Sequence, residues 1–170
     1  MPADLFSIRR LHAGDMPAVM RIQAACYTQI VPESHASMAA KVDAAPLTCF
    51  LAQAGDAAVG YLIAVPVAYP RLPALDAPTY AVPPDADTLY LHDLAVAPAG
   101  RGTGAAQALV RVVLEAGQAA GLRRACLVAI QDSVAFWQRF GFAPVHAPDA
   151  QVAEKLSSYG AGARLMVAAG

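Results

Sequence analysis

Charge is scarce in this sequence, and what there is lies scattered. Only 15% of the 170 residues are charged, 12 Lys and Arg against 13 Asp and Glu, for a net charge of −1. The only adjacent cations are Arg9-Arg10 and Arg123-Arg124. A nucleic-acid surface needs a basic face, so no nucleic-acid partner is expected and a small molecule is the default. Cysteines are also few. Cys26, Cys49 and Cys126 are odd in number and form no CxxC spacing, which reads as three reduced thiols and not as a disulfide framework. His12, His35, His92 and His146 share no metal-ligand spacing, and no metal is expected. No apolar run reaches the roughly 18 residues of a membrane span. Asp4, Arg9 and Arg10 stand where a signal peptide would have its apolar stretch, so the expectation is a cytoplasmic protein with no membrane partner.

Apolar residues, many of them alanine, make up 57% of the chain. The length favours one domain with one core over residues 1–170. Phe6 to Leu11 reads as a first strand. Asp15 is an N-cap candidate for a helix from about Met16 to Thr28, with Val19, Ile22, Ala25 and Cys26 at helical spacing. Pro32 interrupts, and Ser34 caps a second helix to about Val42. Thr48–Gln53 and Ala58–Val65 form a hairpin turning at Gly55-Asp56. Six prolines between Pro66 and Pro84 mark an irregular loop. Leu89–Val96 is a strand, Gly102 to about Ala120 a long helix ended by Gly121. Ala125–Ile130 is a strand buried on both faces, and Ser133–Phe140 a short helix. Phe142–Val145 and Arg164–Ala168 close the chain as strands, with Asp149–Tyr159 ambiguous between them. The order β-α-α-β-β-β-α-β-α-β-β gives an α/β fold, a mixed central sheet of about six to seven strands flanked by helices.

The strand Leu89–Val96 runs through Ala97-Pro98-Ala99 into Gly100-Arg101-Gly102-Thr103-Gly104-Ala105 and then into a helix. Glycines let the backbone turn tightly and come close to a ligand. The first N–H groups of a helix lack internal partners, and its dipole favours negative charge there. Arg101 adds a positive donor, so a pyrophosphate is the natural guest. A nucleotide P-loop would need Gly-Lys-Ser/Thr, but Ala105-Ala106 follow Gly104. A dinucleotide fingerprint would need a third glycine at Gln107.

Here the sequence resembles the GNAT superfamily of N-acetyltransferases. Their central motif is a strand ending in an apolar pair, such as Ala95-Val96, then Pro, then Gln/Arg-x-x-Gly-x-Gly/Ala opening a helix. Gly102 and Gly104 match its glycines; Ala99 replaces its first polar residue. A second motif follows at the expected separation, Ser133-Val134-Ala135-Phe136-Trp137-Gln138-Arg139-Phe140-Gly141-Phe142. It looks like the family's Phe-Tyr-x-x-x-Gly-Phe turn. From Leu89 to Phe142 the wording is most similar to the arylalkylamine (serotonin) N-acetyltransferases. The first half is much less alike.

The resemblance implies acetyl-CoA as cosubstrate and a small-molecule primary amine that attacks the thioester directly. Such an amine, with a pKa near 10, is only about 0.1% neutral at pH 7. His92 is the candidate base, since imidazole titrates near neutrality. The resemblance puts a second histidine at Tyr90. It makes the Leu94 backbone N–H the oxyanion donor and sets main-chain groups of Leu94, Ala95 and Val96 against the pantetheine arm. Arg101, Gly102, Thr103, Gly104 and Ala105 would hold the pyrophosphate, with Ser133, Phe136 and Trp137 lining the arm. Trp137 stands where the family has a tyrosine acid, and an indole N–H is no useful acid; Tyr159, Tyr27 or water could serve instead. Glu33 could hold a cationic amine, and Tyr27 and Tyr159 lie toward the substrate. Asp93 alternates with His92 on an ideal strand and should point away from it. A non-catalytic acyl-CoA-binding module and another kind of phosphate-binding enzyme stay open as alternatives. Family members are often homodimers, and no interface is identifiable in this sequence.

Overall fold

A computed structural model describes residues 5–27, 32–130, 132–160 and 162–169. One seven-stranded sheet organises them. Its strands are β1 (Ser7–Arg10), β2 (Cys49–Ala54), β3 (Ala57–Val67), β4 (Thr88–Val96), β5 (Arg124–Ala129), β6 (Ala143–Pro144) and β7 (Arg164–Ala169). They lie in the order β1-β2-β3-β4-β5-β7-β6. Only β4 and β5 pair in parallel. That crossover needs a helix, and α3 (Ala105–Ala119) supplies it.

The hairpin reading holds, with Gly55 at φ +60° turning β2 into β3. The first helix, α1 (Met16–Cys26), follows the expected apolar stripe; its expected end at Thr28 lies outside the described residues. Asp15 precedes it but does not cap it with its side chain. Its carboxylate instead takes the Arg9 guanidinium at 2.7 and 2.8 Å and the His12 N–H. A bidentate ion pair beats a single cap bond. Ser34 does cap α2 (His35–Ala44), accepting from the Ser37 N–H. The long helix starts later than expected, because Gly102 and Gly104 adopt φ +77° and +88° and form the turn before it. The short helix α4 spans Val134–Gln138. The ambiguous stretch contains a further helix, α5 (Ala150–Ser157), capped by the Asp149 carboxylate on the Val152 N–H. The order is therefore β-α-α-β-β-β-α-β-α-β-α-β.

Two layers cover the sheet. On one face Leu109, Val110 and Val113 of α3 pack with Leu62, Leu89, Leu91 and Leu127, and Trp137 and Phe142 extend this cluster. Burying each such aliphatic side chain contributes roughly 1.5–3 kcal/mol. On the other face α1 and α2 bring Met16, Val19, Ile22, Met38 and Val42 against Leu51, Tyr61 and Ile63. Alongside them the proline-rich loop and α5 pack Leu72 and Val152 on Val65, Val67 and Tyr90. Among the described residues no helix is long and apolar enough to cross a membrane.

Candidate active site

One extra residue in β4 shapes the site. Asp93 pairs with Ile63 and Leu91 with Ala64, so His92 has no partner of its own on β3. Such a bulge breaks the two-residue alternation. Before it, Leu89 and Leu91 face α3; after it, Leu94 does. Tyr90 and Ala95 face the opposite layer. His92 and Asp93 therefore both point toward α1 and α2. The expectation that Asp93 turns away fails here, because regular alternation stops one residue earlier.

The bulge coincides with a fork in the sheet. β4 pairs with β5 only from Thr88 to Leu91, although both strands continue. The fork holds a cleft of about 200 Å³ bordered by His92, Asp93, Leu94, Leu127, Ser133 and Trp137, among others. At its edge the Leu94 carbonyl accepts from the Tyr27 hydroxyl at 2.8 Å, and further along β4 the Val96 carbonyl accepts from the Cys26 thiol. Both carbonyls thus point off the β3 ladder. A strand residue's N–H points the same way as its C=O, so the Leu94 N–H faces the fork.

Past the end of β4, Gly102, Thr103 and Gly104 lead into α3. Their main-chain N–H groups make no hydrogen bond among the described residues; the Thr103 hydroxyl bonds the Gly100 carbonyl and receives the Ala105 N–H. A Cβ on Gly102 or Gly104 would meet no atom within 4 Å, so it is the left-handed backbone, not space, that calls for glycine. Arg101 is exposed beside the turn. Free N–H groups at a helix start, a nearby guanidinium and a fork with unspent strand groups fit a pyrophosphate joined to an amide-bearing arm. Ala95, expected against the arm, is not placed for it: its methyl group is buried under α1 and α2, and its main-chain groups alternate toward β3, where it pairs with Tyr61.

A second cavity of about 260 Å³ adjoins the cleft and shares Tyr27, His92 and Asp93 with it. Pro32, Leu75, Tyr90, Val128, Ile130 and Tyr159 give it mostly apolar walls. Here the structure gathers His92, Glu33, Tyr27, Tyr90 and Tyr159. His92 Nε2 lies 2.7 Å from Glu33 Oε2. The other Glu33 oxygen receives Lys41 Nζ at 3.0 Å and the Ser37 hydroxyl at 2.9 Å. Burial alone would push the Glu33 carboxyl up, but His92 and Lys41 outweigh it and hold it well below the usual carboxylate range. An ionised carboxylate only accepts, so Nε2 is the donor. In the neutral ring that leaves Nδ1 with the free lone pair, and Nδ1 is enclosed with no hydrogen-bond partner among the described residues.

Asp93 is the other carboxyl. It receives the Tyr61 hydroxyl at 2.7 Å and the Tyr27 hydroxyl at 2.8 Å. Burial raises its pKa, and His92 and the two phenols only partly offset that. Burial likewise drives the phenols of Tyr27, Tyr90 and Tyr159 upward, so each holds its proton firmly at neutral pH. Tyr159 lines the second cavity but not the cleft, while Tyr27 borders both. The Tyr90 and Tyr159 hydroxyls are 3.3 Å apart. Trp137 is buried edge-on against Phe136 and Phe142.

Sequence reasoning set Asp93 aside and passed over Tyr61, Ser37 and Lys41. For the last two a signal existed. The buried stripe of α2 is Ser37, Met38, Lys41 and Val42, and a lysine at a core position of a helix requires a partner.

Comparison with known proteins bears on the whole arrangement. By structure the chain is similar to the GNAT-like decarboxylase GphF in complex with isobutyryl-CoA, at 20% identity and a TM-score of 0.77, over 96% of this chain and 98% of that one. It is similar to PaiA N-acetyltransferase from Thermoplasma acidophilum in complex with coenzyme A, at 12% identity and a TM-score of 0.69, over 97% and 99%. It is also similar to the ribosomal-protein-S18-alanine N-acetyltransferase from Escherichia coli, at 16% identity and a TM-score of 0.65, over 96% and 93%. At these identities the likeness shows the fold. A search of curated protein sequences finds no match, and nothing bears out the narrower likeness to the arylalkylamine enzymes. The model of the acetyltransferase (GNAT) family matches residues 16–142, spanning α1, the forked strand, the glycine turn and the aromatic turn after α4, and the chain belongs to that family.

Proposed function

We propose that this protein transfers an acetyl group from acetyl-CoA to a primary amine of a small molecule, with the cofactor arm in the β4–β5 fork and the amine in the adjoining cavity. The observation that carries this reading is the Glu33–His92 pair, which stands in the wall of the acceptor cavity at its junction with the cleft. Acetyl-CoA supplies a carbonyl activated as a thioester. The chain's own groups do the rest. The Leu94 N–H faces the fork, placed to meet negative charge on the carbonyl oxygen. Glu33 fixes the Nε2–H tautomer of His92, which makes Nδ1 the proton acceptor. Because Nδ1 is enclosed, the amine's proton reaches it through a water molecule or a small side-chain movement. The imidazolium that forms has Glu33 beside it and Asp93 nearby.

The lining of the cavity supports an amine without a carboxylate of its own. Among the described residues that lining holds two carboxyl groups, Glu33 and Asp93, and no lysine or arginine. A carboxylate on the acceptor would find no counter-ion there. Trp137 in the cleft wall has no acidic proton to give, so we take the sulfur to leave as the thiolate, with water as its eventual proton source.

Acetyl-CoA turnover against amines with and without an adjacent carboxylate, in wild type and His92→Ala, tests the reading. We expect turnover of the carboxylate-free amines and at least a tenfold loss of kcat in the variant at neutral pH, smaller at high pH where the free amine is abundant. An unchanged rate in His92→Ala would refute His92 as the base. Thermal stabilisation by acetyl-CoA without turnover of any amine would favour a non-catalytic acyl-CoA-binding module instead.

A further inference from the structure

Lys41 is a charged side chain with only 1% of its surface exposed. Enclosing an ammonium costs several kcal/mol unless it is fully partnered. A methionine would suit the neighbours Met38 and Val42 better. The lysine is nevertheless satisfied, and its partners lead in one direction. Nζ meets Glu33 Oε1 at 3.0 Å, the Ser37 hydroxyl at 2.9 Å and the Ser37 carbonyl at 3.4 Å. Ser37 in turn donates to the same Glu33 oxygen. Lys41 and Ser37 thus claim Oε1 and leave Oε2 to His92 alone.

We propose that Lys41 is a positioning residue that acts through Glu33 to orient His92 and to set the pH range over which His92 can accept a proton. This rests on the reading of His92 as the base. The physical reasoning is electrostatic. The groups around His92 are Glu33 from the segment before α2, Lys41 from α2, Tyr27 from α1, Tyr61 from β3 through Asp93, Tyr90 and Asp93 from its own strand, and Tyr159 after α5. The phenols stay neutral. Asp93 is shared between Tyr27 and Tyr61. Glu33 is the anion in direct contact with the imidazole, and Lys41 neutralises it. With Lys41 in place, Glu33 presents Oε2 to the ring while its charge is shared with the ammonium on Oε1. Without Lys41, the full carboxylate charge falls on His92 and favours the imidazolium, which cannot act as a base.

The test combines His92 ring NMR titration with the pH dependence of kcat/KM in Lys41→Met, Glu33→Gln and the double variant. In Lys41→Met the His92 titration and the acidic limb of the rate profile should both move to higher pH by about one unit, and activity should recover at high pH. Adding Glu33→Gln should move both back. A merely structural role would lower activity at every pH alike. If Lys41→Met does not fold, Ser37→Ala, which removes one hydrogen bond from the same carboxylate oxygen, should produce a smaller shift in the same direction. A His92 titration unmoved in folded Lys41→Met, or unmoved in Ser37→Ala where that is the variant that folds, overturns the proposal. A titration that moves while the rate profile does not supports the Lys41 linkage and removes His92 from the role of base.

Discussion

Asp93 is half-buried between the two cavities and receives two phenol hydroxyls, and its replacement should give a stability change that depends on pH in a defined direction. Burial raises its folded pKa, with His92 and the phenols of Tyr61 and Tyr27 pulling back only part of the way. A carboxyl with a raised folded pKa binds its proton more tightly in the native state. Its contribution to stability is therefore full below the unfolded value, near 3.9. It declines as pH rises from there toward the folded value and is constant beyond it. Each tenfold difference in proton affinity is about 1.4 kcal/mol. The side-chain amide of an Asp93→Asn variant could still accept from one tyrosine and donate to the other, so the hydrogen-bond loss is about 1 kcal/mol at most. Near pH 4 the variant should be slightly less stable than wild type. The difference should close, and then reverse, as pH rises toward 8. Asp93→Leu would instead strand the Tyr61 hydroxyl, whose only hydrogen bond among the described residues is to Asp93. That should cost about 1–3 kcal/mol beyond the Asn variant at every pH. Urea unfolding from pH 4 to 8 measures all three. A difference between Asp93→Asn and wild type that stays flat, or that grows as pH rises, would show that Asp93 is not a carboxyl held against ionisation.

The glycine turn and the aromatic turn yield two further expectations. Gly104→Ala places a side chain at φ +88° with no steric contact, so its cost is conformational, about 1–2 kcal/mol. Where the free turn relaxes out of this conformation, CoA binding must restore it, so calorimetry should show affinity falling by up to roughly thirtyfold; unchanged affinity together with unchanged stability would refute the strain at this turn. Trp137→Phe should lower stability by about 1–2 kcal/mol through lost packing with Phe136 and Phe142. It should keep turnover within about threefold, because an indole has no acidic proton to give; a tenfold rate loss in the folded variant would place its N–H in the chemistry.

The sequence was most informative where local chemistry decides the structure. Gly55, Gly102 and Gly104 each sit at positive φ, and a turn was legible at each. The Ser34 cap and the apolar stripes of α1 and α3 were legible because capping and helical periodicity are local. The stretch from Asp149 to Tyr159 was not, although Asp149 caps it. Its helix is eight residues long with one fully buried side chain, Val152, too little pattern to separate it from a polar loop. At the site, the residues on β4 could be found from the motif, but their geometry could not. The bulge depends on how β3 and β4 pair, which no short window of sequence records. Asp93 was misplaced for that reason. Glu33 was seen as a lone carboxylate because its partners His92 and Lys41 are 59 and 8 residues away.

The bulge also explains how the site can carry so much polarity inside an apolar sheet. Without the extra residue, Asp93 would project into the cluster beneath α3, among Leu89, Leu109 and Leu127, with no phenols to meet it. With it, two adjacent residues share one face, and their partners come from three separate elements, α1, β3 and the segment before α2. In the proposed reaction this matters for charge. A cationic amine entering the cavity brings one positive charge, and proton transfer to His92 moves that charge without changing the total. Glu33, in contact with the ring, can then stabilise the ammonium on entry and the imidazolium after transfer. A site with only one of these states compensated would bind the amine and hold it, or exclude it altogether. In the proposed arrangement Lys41, bonded to the other oxygen of Glu33, bears on that same balance.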